Sequence, residues 1–90
     1  MKVVKIKSDG FEGAAIETER GFVMIKALNE EKRSEWPENY EDYLSGDKAA
    51  PLVRWYEAGG ASLLENISRR FVIQREKAEI TDGPFDVSLG

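Results

Sequence analysis

Carboxylates and large aromatic side chains are the residues of this chain that could carry chemistry, and they are concentrated between residues 29 and 47. This stretch, the acidic segment, has seven carboxylates, two basic residues and a local net charge of −5, whereas the whole 90-residue chain carries −4. We predict a partner-binding site made of its carboxylates and aromatics, namely Glu30, Glu31, Glu35, Trp36, Glu38, Tyr40, Glu41, Asp42, Tyr43 and Asp47.

Two interpretations of the acidic segment are open. Trp36, Tyr40 and Tyr43 recur at the spacing of one helix face, which is typical of a buried stripe with the carboxylates as its solvated side. Alternatively, the aromatics are interface anchors ringed by carboxylates, since Trp and Tyr dominate interface hot spots and complementary charge speeds encounter with a basic partner. The two interpretations are partly compatible, because Tyr40 could be buried while the carboxylates still form the binding edge.

Catalysis is not indicated. Paired carboxylates act as acid and base in glycosidases, but they need a pocket that raises one pKa, and the sequence shows no sign of one. The chain has no cysteine and no histidine, which argues against thiolate and zinc sites, haem and Ser-His-Asp chemistry. Gly59-Gly60 lacks the spacing of phosphate-binding loops, and Arg69-Arg70 are expected to cap the third predicted helix. We predict no enzyme, no metal and no cofactor.

The composition is that of one globular domain over residues 1–90, with 41% hydrophobic and 33% charged residues. The longest apolar run, residues 22–25, is too short for a membrane span, and no signal peptide follows Met1. We therefore expect a cytoplasmic protein, in the host cytoplasm if it is phage-encoded. A sequence pI near 4.9 disfavours direct nucleic-acid binding, which depends on Lys and Arg neutralising phosphates.

Alternating apolar residues predict three strands at the start of the chain, over residues 2–8, 14–19 and 22–28. The third is apolar on both faces, which is typical of a central strand covered on both sides. With turn residues after the first strand and a two-residue reversal at Arg20-Gly21, these strands are expected to form a meander.

Helix starts at Pro37 and Pro51, stops at Gly46 and Gly59-Gly60, and a capping box at residues 62–65 predict three short helices in the middle of the chain. The third is expected to bury apolar residues as far as position 71.

Residues 71–75 are predicted to form a fourth strand; the alternative is that the third helix continues toward Ile80. A turn at residues 81–84 and a short strand over residues 85–89 complete the chain. The predicted class is α+β, an antiparallel sheet of four to five strands with two to three short helices packed on one face, in the order β-β-β-α-α-α-β-β.

Three short stretches, at residues 22–27, at Ala58-Gly59 and at residues 81–85, resemble the opening strand, the helix end and the DGPF turn of YCII-related proteins. That resemblance implies a dimeric α+β barrel and a small enzyme with a concave site around Asp82. The chain departs from the family in its N-terminal hairpin and in lacking the histidine of the catalytic members.

The function expected from the residues is a small acidic protein-binding module, for instance a phage-type inhibitor that occludes a basic surface of a nucleic-acid-handling complex. It resembles anti-CRISPR and DNA-mimic proteins in size and charge only. The partner would be a protein with a basic surface, and the chain itself a monomer or homodimer. The alternatives are a homo-oligomeric structural protein, whose aromatics form a self-complementary patch, and a small YCII-like enzyme.

Overall fold

The structure, a computed structural model of the chain, describes residues 1–44 and 47–87. Within those residues, four antiparallel strands form one sheet in the order β3-β2-β1-β4. The strands are β1 Lys2–Ser8, β2 Phe11–Thr18, β3 Gly21–Met24 and β4 Glu79–Asp86, and the α-helices are α1 Ile25–Lys32, α2 Ala50–Trp55 and α3 Ala61–Glu65. The predicted α+β class is confirmed.

Two tight hairpins build the predicted meander. The first turn is Asp9-Gly10, whose φ values of 50° and 83° suit a type I′ turn, and it places Phe11 at the start of β2. The second turn is Glu19-Arg20, one residue earlier than the predicted reversal. Its ends are joined by a 2.9 Å hydrogen bond from Thr18 Oγ1 to the carbonyl of Gly21.

The prediction of one central strand over residues 22–28 is wrong, because β3 ends at Met24 and α1 begins at the next residue. Ile25, Leu28 and Asn29 are the buried residues of α1, so the apolar pattern from residue 25 onward has the helical period. β3 also lies at one end of the strand order instead of at its centre. Both of its faces are buried all the same.

The sheet separates two apolar clusters. On one face, called the helical face, Val3, Ile16 and Val23 pack with Leu52 of α2 and Leu64 of α3. The other face, called the second face, is covered by half-buried residues at the end of the connection from α3 to β4. Its cluster consists of buried Val4, Ile6, Ala15 and Phe22, with Met24, Ile73 and Ala78 packed against them.

The predicted helix from Pro37 to Gly46 is wrong for the residues that the structure describes, since only a single 3₁₀ turn, Tyr40–Tyr43, is formed. The carbonyl of Pro37 accepts its hydrogen bond from the Tyr43 hydroxyl, a contact between a side chain and the backbone that competes with a helical turn. Gly46 lies outside the described residues.

The second predicted helix is present as α2, and a kinked turn, Tyr56–Gly60, in which Gly59 has a non-helical φ of 129°, connects it to α3. The third ends at Glu65 instead of reaching position 71, and Arg69-Arg70 therefore cap no helix. Arg20 takes that role, because its Nη1 donates to the carbonyls of Leu64, Glu65 and Ile67 over 3.5, 3.1 and 2.8 Å.

The connection over residues 69–77, the basic loop, contradicts both predictions for this part of the chain, since it is neither a strand over residues 71–75 nor a continuation of α3. Ile73 makes a single bridge to Phe22, with backbone hydrogen bonds of 2.9 and 2.7 Å, between two 3₁₀ turns. The loop cannot pair further with β3, because it must cross the second face to reach β4 beside β1.

The turn predicted at residues 81–84 is also wrong. Residues 81–84 lie inside β4, where the pairing with β1 is irregular, and they contain the cis peptide Gly83-Pro84. The final predicted strand extends to Leu89, which lies outside the described residues. No helix in the described part of the chain is long and apolar enough to span a membrane.

Candidate functional site: an acidic segment and a basic groove

Asn29, near the end of α1, holds the first half of the acidic segment. Its Nδ2 donates to the Trp36 carbonyl over 2.8 Å and to Glu38 Oε2 over 3.0 Å, and its Oδ1 accepts from the Trp36 amide over 2.9 Å. The Asn29 side chain is only 7% exposed, so these bonds satisfy a polar group whose burial would otherwise be unfavourable. They fix the path of the backbone between residues 29 and 38.

The carbonyl of Glu38 joins the acidic segment to the sheet. The pairing of β2 with β3 ends at Ala15 and Met24, because the chain turns into α1 after Met24. The amide of Ala14, the preceding residue of β2, therefore has no partner in β3. The Glu38 carbonyl accepts from that amide over 3.1 Å. The backbone of Glu38 is therefore bound to β2 while the residue as a whole remains exposed.

Tyr40 and Tyr43 belong to the core of the helical face. They are 4% and 0% exposed, and Tyr43 donates its hydroxyl hydrogen bond to a backbone carbonyl of the same segment. Burial raises the pKa of the Tyr43 hydroxyl above its ordinary value of 10.0, and the carboxylates of Asp42 and Glu38 add to the rise. The interpretation of the aromatics as a buried stripe describes both rings, even though no helix presents them.

Trp36 is the remaining aromatic of the segment and is half-buried. Its ring lies against Trp55 of α2, with ring centroids 4.9 Å apart and planes inclined at 42°. This contact ties the segment to the helices, and it leaves the carboxylates as the side chains that a partner would meet first.

The carboxylates of the segment differ in how far they are already neutralised. Arg70 lies 3.8 Å from Glu31, Lys5 lies 3.4 Å from Glu41, and Lys48 lies 3.3 Å from Asp42. These three cations come from outside the segment, and counting them lowers its local excess from −5 to −2. Asp42 is half-buried; the exposed carboxylates are Glu30, Glu31, Glu35, Glu38, Glu41 and Asp47.

Four of these exposed carboxylates, Glu30, Glu35, Glu38 and Asp47, form no ion pair within the described residues. Of these, Glu38 accepts the hydrogen bond from Asn29. Glu41 is different, because a backbone hydrogen bond and the Lys5 ammonium lower the pKa of its carboxyl. The exposed carboxylates without an ion pair are therefore spread along the segment from Glu30 to Asp47, between the residues that do form pairs.

A groove of about 760 Å³ lies on the second face, between the β1–β2 turn, the exposed side of α1 and the basic loop. Its apolar part includes Phe11, which is 63% exposed, and the half-buried side chains of Met24 and Ile73. Its charged residues are four cations and two carboxylates: Lys26, Arg69, Arg70, Lys77, Asp9 and Glu30.

A second hollow, of about 560 Å³, is lined by Thr18, Arg20 and Arg75 among others. Two of its three cations are already engaged: Arg20 caps α3, and Arg75 binds Glu17 over 3.3 Å and the Thr18 carbonyl over 2.6 Å, which leaves Lys2 as the cation without an ion pair in the described residues. This hollow consequently offers less free charge to a ligand than the groove on the second face.

Glu30 is the one residue of the groove that belongs to the predicted partner-binding site; the others are not predicted as a site. Phe11 follows a turn and carries no motif, and Arg69-Arg70 were expected to cap a helix. The local excess of basic residues in positions 69–77, four against Glu76 alone, was the available signal, but the acidic total of the chain conceals it.

Comparison with protein families, with curated proteins and with solved structures finds no match to this chain. The YCII-like enzyme stays a prediction. Asp82, around which its site was expected, is exposed on β4, with its carboxylate accepting from the Gly83 amide over 2.8 Å. It lines neither of the two hollows described above. Among the described residues, no group of three or more carboxylates is placed to hold a metal ion.

Proposed function

We propose that this chain is a small acidic protein-binding module whose exposed carboxylates contact a basic surface of a partner protein. In its most specific form it is an occluding inhibitor of a nucleic-acid-handling complex, of the anti-CRISPR or DNA-mimic type, that acts in the cytoplasm or in the host cytoplasm of a phage. The aromatics of the acidic segment serve this function indirectly, by holding the segment in place.

One observation carries the proposal: Glu30, Glu35, Glu38 and Asp47 are exposed and form no ion pair within the described residues, on a segment anchored at both ends of its first half. Glu30, Glu35 and Glu38 lie on the part of the segment that these contacts hold, and charges on a fixed backbone lose little conformational freedom on binding, which favours affinity. Complementary charge also raises the rate of encounter with a basic surface, and salt screens that effect.

The test is affinity capture from lysate of the source organism or its host, at low and then at high salt, with the wild-type chain and two charge variants. The first variant is Glu35→Lys with Asp47→Lys. The second, a matched control with the same change in net charge, is Glu19→Lys with Glu57→Lys, which replaces two exposed carboxylates outside the segment.

We expect a basic protein complex that is captured at low salt by the wild type and by the control, and that is lost from the Glu35 and Asp47 variant. Equal capture by both variants would show that the segment is an ordinary solvated face, and would contradict the proposal.

A second candidate is a homo-oligomeric interaction protein, and the sheet edge favours it. β4 is the open edge of the sheet, all eight of its residues are exposed, and Ile80 and Phe85 on it are 45% and 38% exposed. An exposed edge strand with apolar residues is a template for pairing with another copy. Sedimentation velocity at micromolar concentration decides this candidate: a strict monomer excludes it, and a dimer that Ile80→Lys dissociates supports it.

A further inference from the structure

The groove on the second face combines free positive charge with an exposed aromatic ring. Lys26, Arg69 and Lys77 line it, are exposed, and form no ion pair within the described residues. Arg70 is the fourth cation and is shared with Glu31 at 3.8 Å. Charges of one sign that have no partner in the fold are available to a ligand of the other sign.

Phe11 is the most exposed large apolar residue of the described chain, at 63%. It follows the tight Asp9-Gly10 turn directly, so its backbone is held by the strand pairing of β1 with β2. The Lys26 ammonium lies 5.5 Å from the centroid of its ring. A fixed and exposed aromatic ring beside ammonium and guanidinium groups suits a ligand that has both a flat ring and an anion.

We propose that this groove binds a nucleotide unit, its base stacked on Phe11 and its phosphate held by Lys26, Arg69 and Lys77. Bases of any sequence stack on aromatic side chains while phosphates are neutralised by Lys and Arg, which is the usual combination in sites for single strands. The groove volume of about 760 Å³ lies within the range of small-ligand sites. The nucleotide can be free or part of a single-stranded nucleic acid.

The negative net charge of the whole chain does not exclude an anion-binding site in the groove. The net charge of −4 is a sum over the chain, whereas the groove has four cations against Asp9 and Glu30. Those two carboxylates lower the expected affinity, and Glu30 also belongs to the acidic segment. The site is therefore expected to be weak at physiological salt and to gain from loss of the Glu30 charge.

The test uses the full chain and two probes of the same chemistry, fluorescein-labelled single-stranded oligodeoxyadenylate followed by anisotropy, and deoxyadenosine monophosphate followed by calorimetry. Variants Phe11→Ala, Lys26→Gln with Lys77→Gln, and Glu30→Gln examine the groove. Phe85→Ala, which removes an exposed aromatic ring of β4 outside the groove, is the matched control. Every substituted residue is exposed, so the variants are expected to fold, which circular dichroism checks.

We expect Phe11→Ala to weaken strand binding roughly tenfold or more, because base–aromatic stacking is lost, and Phe85→Ala to leave it unchanged. Lys26→Gln with Lys77→Gln should reduce the salt dependence, by about 0.7 in the logarithmic slope for each phosphate contact removed. Glu30→Gln should strengthen binding. Binding of the monophosphate as well shows that the free nucleotide suffices, whereas binding of the strand alone assigns the site to single strands.

Two results overturn the proposal. One is that neither probe binds at about 1 mM in low salt, since a dissociation constant above that concentration is too weak for a specific site. The other is binding that Phe11→Ala does not change and that an oligoglutamate peptide displaces equally well, since the groove would then be a general surface for acidic chains. Neither result decides the function of the acidic segment, because its capture test substitutes Glu35 and Asp47, which do not line the groove, and uses a different partner.

Discussion

The acidic segment packs on the helical face of the sheet, whereas the basic loop contacts both faces and lines the groove on the second one. The segment and the groove use aromatic and charged side chains in opposite ways. In the acidic segment Tyr40 and Tyr43 are buried, Trp36 is half-buried, and three carboxylates are paired with cations from elsewhere in the chain. In the groove beside the basic loop the aromatic ring of Phe11 is exposed and three cations have no ion pair in the described structure. Residue type alone therefore does not separate a core residue from a contact residue; burial and pairing do.

Substitution of Tyr43 has the largest expected effect, and it tests whether the buried aromatics of the acidic segment belong to the core. Tyr43→Ala removes a fully buried ring and should lower the free energy of unfolding by about 3–5 kcal/mol, because the cavity cannot close completely. Urea denaturation measures it. Tyr43→Phe, the control, loses only the hydrogen bond to Pro37 and should cost about 1 kcal/mol. A loss below about 1 kcal/mol for Tyr43→Ala would mean that the ring is not core.

Substitution of Gly21 tests how the basic loop is attached to β3. Its φ is 140°, and a Cβ atom there would lie 2.3 Å from the Ile73 carbonyl oxygen. Gly21→Ala should therefore cost about 2–4 kcal/mol, through backbone strain and disturbance of the bridge between Phe22 and Ile73. Gly59→Ala is the matched control, because Gly59 has a φ of 129° and no atom within 4 Å of such a Cβ.

Urea denaturation compares the two glycine variants, and amide hydrogen exchange at Phe22 and Ile73 locates the damage. We expect faster exchange at both amides in the Gly21 variant and not in the Gly59 variant. Equal losses in the two variants would mean that strain alone acts and that the loop does not depend on the bridge.

Substitution of Asn29 tests whether its side chain holds the acidic segment in place. Asn29→Leu removes the three hydrogen bonds to Trp36 and Glu38 and should cost about 1–3 kcal/mol, because the backbone groups of Trp36 lose their partner. The control is Asn66→Leu, since Asn66 is exposed and makes a single bond to the Ser62 carbonyl. Differential scanning calorimetry measures both, and equal stability of the two variants would contradict the role of Asn29.

The smallest expected effect is a change in the pKa of Glu41, one of the carboxylates that form an ion pair. Its pKa is lowered in the folded chain by a backbone hydrogen bond and by Lys5, so its stabilising contribution is present above its unfolded pKa and is lost as the pH falls through the folded one. Lys5→Gln should raise the pKa of Glu41 in an NMR titration. An unchanged pKa would show that the backbone hydrogen bond is the whole cause.

Local patterns account for the parts of the fold in which local contacts decide the structure. Alternation predicts β1 and β2, and Pro51 with the glycine pair predicts α2. The spacing of Trp36, Tyr40 and Tyr43 predicts their common burial but not the absence of a helix. That absence depends on side chains that bind the segment's own backbone, among them Asn29.

Long-range contacts account for what the sequence does not predict. α3 ends where Arg20, more than 40 residues away, takes its carbonyls. The groove is formed by a hairpin turn, α1 and the basic loop, which are brought together only by the crossing of the second face. The exposure of Phe11 follows from that arrangement, and no local pattern indicates it.

The acidic segment and the groove adjoin at Glu30 and at the ion pair between Glu31 and Arg70, and the central claim is that they bind different partners. The most direct test of that claim combines the two binding experiments on two variants. Glu35→Lys with Asp47→Lys should abolish capture of the basic partner complex and leave binding of single-stranded oligodeoxyadenylate intact. Phe11→Ala with Lys77→Gln should do the reverse. A variant of one surface that abolishes both activities, with the fold intact by circular dichroism, would contradict the separation of the two surfaces.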